Sequence, residues 1–442
     1  MAADDPREAT AMVGAGSANA TRRVQRTLPE DPVTVPRPLH ATDADPFALV
    51  DDARRARARE AVRGVARRTP TLDSRRLGER YGGRVVLKAE NLQRTGSFKL
   101  RGALARLAAL GPDAERGVVA GSAGNHAQAV AYAARARGVP CTVVMPVSAP
   151  VAKLDGCAEL GATVERHGDH VLEAVARARE LADEQGLAFV HPFDDPDVVA
   201  GQATVGDELL EQVPDLAQVL VPVGGGGLVS GVALALRRAR PDVRIVGVQA
   251  ASHASLVAGG EGASWAPTIA DGIAVKRPGE LTSRIVAALV DDVVAVEEDE
   301  IAEAMITTLE HVKLLVEGAG AVATAALETG RVGVVDGATV LVLSGGNVDP
   351  GLVAAVARRH ETTVGRRLTL TAVVDDRPGA LARLLTTVGE AGANLLEVDH
   401  VRDGVPLHVR QTAVRLVVET RGRAHADAVR DALAVAGYPL RD

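Results

Sequence analysis

The chain has 442 residues, enough for two or three domains, and the composition of a folded protein, 47% hydrophobic and 24% charged. A formal net charge of −7 leaves no polybasic footprint for nucleic acid, and 2% aromatics give few platforms for stacking single-stranded bases. No apolar run approaches the roughly 20 residues of a bilayer span, so small-molecule chemistry is expected, with no nucleic acid and no membrane.

Residues 1–44 mix Asp, Arg, Pro, Gly and Ser without the apolar core of a secretion signal. They read as a disordered N-terminal extension, and a cytoplasmic location is expected. From Phe47 the pattern becomes regular. It predicts helix over 47–67, strand over 85–87, helix over 97–110, strand over 117–120 and helix over 126–137. Strands follow at 141–145, 163–165 and 188–191, with helices over 151–160 and 171–184 between them. Further on come a strand at 219–223, a helix ending at 239, a strand at 244–248, helices over 301–309 and 320–328, and a strand at 340–343. Short Val- and Leu-rich strands alternating with helices indicate an α/β chain with parallel sheets covered on both faces.

The pattern changes after Arg366. A strand at 368–374, a Pro-Gly turn, a helix over 381–390, strands at 394–400 and 412–419, a helix over 424–436 and a short strand after Tyr438 are predicted. That β-α-β-β-α-β order is ferredoxin-like. Cys141 and Cys157 sit in apolar stretches without metal-ligand spacing and read as two buried thiols.

Four loops carry candidate chemistry. The chain has five lysines, so arginine does nearly all the basic surface work, and Lys99 in the context Gly96-Ser-Phe-Lys99 stands out. An amine forms a Schiff base with an aldehyde; a guanidinium at neutral pH does not. Gly224-Gly-Gly-Gly227 lies between a strand and a helix, where backbone approaches an anion closely and helix N–H groups are free; a plain flexible turn is the alternative. Ser344-Gly-Gly-Asn347 follows a strand, where open parallel sheets bind ligands. Ser122-Ala-Gly-Asn-His126 opens a helix and could hold a carboxylate, with His126 read as structural.

Together, and in this order, these loops resemble the fold-type II (tryptophan synthase β-like) pyridoxal-phosphate enzymes, and in particular the threonine ammonia-lyases. The resemblance spans about 51–364 and is carried by Glu90-Asn-Leu-Gln-Arg-Thr-Gly-Ser-Phe-Lys-Leu-Arg-Gly102. It implies pyridoxal 5'-phosphate held by Lys99, with Phe98 beside it, Asn125 at its 3-oxygen and Ser344 at its ring nitrogen. The same resemblance puts the phosphate on Gly224, Gly225, Gly226, Gly227 and Leu228, and the substrate carboxylate on Thr95, Ser122, Gly124 and Asn125. It implies α,β-elimination of threonine, and of serine, to a 2-oxo acid and ammonia.

Related serine racemases carry a second serine where this chain has Ala123, and acidic metal ligands where it has Gln249 and Ser255. Racemisation, a serine or hydroxyaspartate dehydratase, and a catalytically silent amino-acid sensor are the rival readings, and no metal site is expected. Glu317, in Val316-Glu-Gly-Ala-Gly320, is either a pocket residue or a helix-dipole partner. Asp376-Arg-Pro-Gly-Ala-Leu381 and Gly392-Ala-Asn-Leu395 resemble an ACT regulatory domain. The resemblances imply a two-lobed catalytic region over 45–364, an ACT domain over 367–442, an isoleucine or valine effector, and a homodimer or homotetramer.

Overall fold

The computed structural model describes residues 45–257, 266–402 and 407–441; the extension expected over 1–44 lies outside the described residues. Its strands are β1 (Thr71–Asp73), β2 (Arg84–Ala89), β3 (Val118–Gly121), β4 (Cys141–Met145), β5 (Thr163–Arg166), β6 (Ala188–Phe189) and β7 (Leu216–Pro222). They continue with β8 (Arg244–Ala250), β9 (Asp292–Val296), β10 (Ala338–Leu343), β11 (Arg367–Asp375), β12 (Asn394–Val401), β13 (Gln411–Glu419) and β14 (Leu440–Arg441).

Three sheets result. A six-stranded sheet runs β1-β2-β10-β7-β8-β9, parallel except for β1 at its edge. A four-stranded sheet, β5-β4-β3-β6, is wholly parallel. Alternation explains the Val and Leu runs. Val340 and Val342 of β10 enter one core, Leu341 and Leu343 the opposite one, so both faces of the sheet are buried and largely apolar. The third sheet, β12-β13-β11-β14, is antiparallel. With the helices Ala380–Glu390 and Arg423–Val435 it follows the ferredoxin-like order and has its own core around Leu370, Leu384, Leu416 and Val429.

Several expectations are corrected. The helix expected over 47–67 is two helices, Pro46–Leu49 and Asp52–Val62. Asp51 causes the restart: its carboxylate accepts from Arg54 N–H at 2.7 Å, capping the second helix. The helix expected from Ser97 begins at Lys99, because Ser97 pairs strand-like with Gly345 and Phe98 N–H donates to Ser344 O at 3.1 Å. The strand expected over 188–191 stops at Phe189, and the His191 ring turns the chain by accepting from Asp194 N–H at 2.7 Å. The helix expected over 301–309 is Glu298–Thr307 followed by a π-turn, Thr308–Val312, closed by Lys313 at φ 63°. The helices Arg75–Tyr81, Pro196–Gln212, Glu280–Leu289 and Pro350–Thr363 and the strands β1 and β9 were not anticipated.

Both cysteines are buried and free. Burial pushes the Cys141 thiol up to about 12 and the Cys157 thiol up to about 11, which leaves both unreactive at neutral pH. Among the described residues no helix is long and apolar enough to cross a membrane.

Candidate active site

The site forms where the C-terminal ends of β10 and β7 face the segment after β2. That segment leads through a short turn, Glu90–Leu92, to the Ser97–Gly345 pairing and delivers Lys99 as the first residue of the helix Lys99–Leu110. Lys99 Nζ donates to Pro192 O at 3.0 Å and stands 5.2 Å from the centre of the Phe98 ring. Burial pulls the amine down to about 8, against the opposing charge of Glu317. A useful fraction is therefore uncharged near neutral pH, the form that attacks an aldehyde.

Opposite it, β7 ends and Gly224–Gly226 lead into the helix Gly227–Ala239. Gly226 has φ 92°, open chiefly to glycine. A Cβ on Gly225 would fall 2.3 Å from the Phe193 ring, and one on Gly224 2.9 Å from the Ile273 backbone. Thr282 Oγ1 fixes the loop by donating to Gly225 O at 2.6 Å. The N–H groups of Gly227, Leu228 and Val229 open the helix, so they lack intrahelical acceptors, and the helix dipole favours an anion there. Gly225→Ala is expected to lower cofactor affinity about tenfold to a hundredfold, since overpacking costs roughly 1–3 kcal/mol. Equilibrium dialysis of the cofactor checks this. The control is Gly333→Ala, where an added Cβ meets nothing within 4 Å.

Ser344 is buried and its hydroxyl donates to Ala319 O at 3.3 Å. Asn125 Nδ2 donates to Glu317 Oε1 at 2.7 Å, and Asn125 Oδ1 accepts from Asn347 Nδ2 at 2.7 Å. Phe98, Lys99, Asn125, Gly224, Gly225, Gly226, Gly227, Leu228 and Ser344 therefore line one cavity. Thr95, Ser122 and Gly124 are not among its lining residues. Thr95 is tied to the site through its carbonyl, which accepts from Asn347 Nδ2 at 2.8 Å, and its buried hydroxyl has no partner. Ser122 Oγ accepts from Gly124 N–H at 3.2 Å.

His126 is structural: its Nε2 contacts Val190 O at 2.8 Å, and burial pulls the ring down to about 3. Gln249 is buried and bonded locally: its Oε1 accepts from Leu256 N–H at 2.9 Å and its Nε2 donates to His253 O at 3.3 Å. Sequence reasoning did not single out Phe193, Ile273 and Gln202, which also line the cavity. It gave Asn347 no role of its own.

An amine, a glycine-walled anion cradle and a buried hydroxyl around one cavity fit a phosphorylated aldehyde cofactor. This combination on parallel sheets defines a cofactor-dependent α/β enzyme. The family described as pyridoxal-phosphate dependent enzyme matches residues 62–346, and the chain belongs to it.

The chain is 46% identical over 399 residues to the L-threonine ammonia-lyase of Geobacter sulfurreducens, covering 89% of this chain and 98% of that one. Among solved structures, threonine deaminase isoform 2 of Solanum lycopersicum is 31% identical with a TM-score of 0.66, covering 80% of this chain and 98% of that one. Maize serine racemase is 33% identical with a TM-score of 0.65, covering 71% of this chain and 99% of that one.

Proposed function

We propose that this chain is a pyridoxal-phosphate-dependent L-threonine ammonia-lyase, converting threonine to 2-oxobutanoate and ammonia and serine to pyruvate and ammonia. The observation that carries the reading is the Lys99 amine, partly desolvated, in the same cavity as the Gly224–Gly227 loop and Ser344. The relatives named threonine ammonia-lyase and threonine deaminase support the choice of substrate.

In this reading Lys99 holds the cofactor's aldehyde carbon, with Phe98 beside the ring. Gly224, Gly225, Gly226, Gly227 and Leu228 hold its phosphate, Asn125 its 3-oxygen and Ser344 its ring nitrogen. When bound, the cofactor supplies an electron sink for the bond to the substrate's α-proton. Turned from Ala319 O toward the ring nitrogen, the Ser344 hydroxyl would donate its one proton there and, unlike a carboxylate, would not hold that nitrogen protonated, which would favour prompt loss of the β-hydroxyl. Lys99 Nζ, once free, takes the α-proton. We assign the substrate carboxylate to Thr95, Ser122, Gly124 and Asn125, the last of which opens the helix Asn125–Arg137, whose first N–H groups lack intrahelical acceptors. Ala123 offers no acid or base on the other face, so elimination prevails over inversion.

We divide the chain into a two-lobed catalytic region, 45–364, and an ACT regulatory domain, 367–442. The ferredoxin-like order of β11 to β14 around the Pro378-Gly379 turn supports the second. Isoleucine or valine is the effector we assign, with a cytoplasmic homodimer or homotetramer as the working form. The test is 2-oxo acid formation from threonine and serine, with and without isoleucine and valine. Threonine is expected to be turned over, with a response to one of the two effectors. D-serine forming from L-serine as fast as pyruvate would replace the lyase reading by a racemase.

A further inference from the structure

Glu317 immediately precedes the helix Gly318–Glu328, yet its side chain makes no capping bond to that helix and turns into the cavity that Lys99 lines. It is 4% exposed. Its Oε1 accepts from Asn125 Nδ2 at 2.7 Å, and the Asn347 backbone N–H is a further donor. Room for it comes from Gly345, next to Ser344: a Cβ there would fall 2.2 Å from Oε1. The Asn125 amide is itself locked by Asn347, whose carbonyl accepts from Lys153 Nζ at 3.0 Å.

A carboxylate offers about four acceptor positions, and here two are taken. The remainder face a cavity built for a ligand. The charged groups facing Glu317 are Lys99 from the helix Lys99–Leu110, Lys153 from the helix Val151–Glu159, and Asp271. Burial first, then Asp271, push the carboxyl up to about 7, outweighing the Asn125 bond and Lys153. It can therefore give or take a proton near neutral pH.

An amino acid arrives with its nitrogen as an ammonium, which has no lone pair until it loses a proton. Lys99 cannot take that proton while its nitrogen, bonded to the cofactor, already carries one, because it then has no lone pair. We propose that Glu317 is the base that deprotonates the incoming substrate's α-ammonium. One proton passes from the ammonium to a Glu317 carboxylate oxygen, leaving a neutral amine and a neutral carboxyl, with no change of oxidation state. The proton returns to nitrogen as the product departs. The inference rests on Lys99 holding the cofactor and adds a second acid/base group to that site.

The test is rapid mixing of the holoenzyme with L-alanine, which has no β-hydroxyl to lose, following the first change in cofactor absorbance across pH. In the wild type the rate is expected to rise through a step near pH 7 and then level. In Glu317→Gln the step should vanish and the neutral-pH rate fall by about 10²-fold or more, recovering as pH frees the amine of alanine itself. Glu317→Asp should keep a step, displaced in pH, and it decides the matter if the Gln variant does not fold. Wild-type rates with an unmoved step in either variant overturn the proposal. Cofactor absorbance surviving in Lys99→Ala would instead overturn the assignment of Lys99, a separate outcome.

Discussion

Lys99→Ala is expected to purify without the visible absorbance of bound cofactor and to lose threonine turnover by about 10⁴-fold or more, the upper end for a single acid/base group. In the proposed reading two roles fall on one nitrogen, which is why the expected loss is large: Lys99 would anchor the cofactor and then move the α-proton. Lys99→Arg should fail nearly as badly. It keeps the charge, but a guanidinium does not form the bond to an aldehyde carbon. The pH dependence has a defined sign. The amine sits at about 8, below its ordinary 10.5, so cofactor capture by the cofactor-free protein should rise as pH increases through about 8 and level above it. The same shift means that burying the protonated amine opposes folding, fully below about pH 8 and less and less as pH rises toward 10.5. Cofactor-free Lys99→Ala should therefore be no less stable than the wild type at pH 7, which separates loss of chemistry from loss of fold. Cofactor absorbance, a rate assay and urea denaturation of the cofactor-free proteins read the three effects.

Lys99 and Gly224–Gly227, which the fold brings to one cavity, were legible because the chemistry proposed for them demands particular residue types in short segments. An amine must be lysine, and a backbone pressed against Phe193 and Ile273 must be glycine. Glu317 and Asn347 were harder. Their partners lie far away in sequence, 192 residues for Glu317 and Asn125 and 222 for Asn347 and Asn125, and only the folded chain joins them. The helix Pro196–Gln212 went unseen for another reason. It is buried nearly all round, so no polar stripe marks its period. Its Gly201 lies against the Arg101 carbonyl, where a Cβ would fall 2.4 Å away. A start signal was nonetheless available: Asp195 caps the helix and Pro196 occupies its first turn. In the third sheet, β11 and β13 were legible because exposed and buried positions are interspersed along them, and β12, exposed over most of its length, by its place after the Gly392 turn. In β13, Arg415 and Glu419 are exposed while Leu416 and Val418 are buried.

Arg101→Ala should remove about 3–5 kcal/mol of stability, the cost of leaving a buried charge without its partner. Arg101 sits two residues beyond Lys99 with its side chain fully buried. Its guanidinium grips Glu90 with two bonds of 2.8 Å and reaches Glu208 at 2.7 Å. Lys88, equally buried, donates to Glu208 at 2.5 Å and to Thr69 O at 2.8 Å. Two cations thus balance two anions beneath the helix that carries Lys99. Arg101→Lys should recover only part of the loss, because one ammonium cannot span both carboxylates as the planar fork does. Acid pH supplies the decisive contrast. Burial alone would raise Glu90, but Arg101, then Lys88 and Thr69, hold it below its ordinary 4.5. Its contribution in the wild type is therefore present above about pH 4.5 and lost as pH falls through the lower folded-state value. In Arg101→Ala only burial, Lys88 and Thr69 remain, so Glu90 takes up a proton more readily and the neutral carboxyl is the better-tolerated form. The stability gap between the two proteins should be widest near pH 7 and shrink steadily toward acid. A gap that stayed constant with pH would mean that Arg101 stabilises the chain by packing its stem, not by holding Glu90 as an anion.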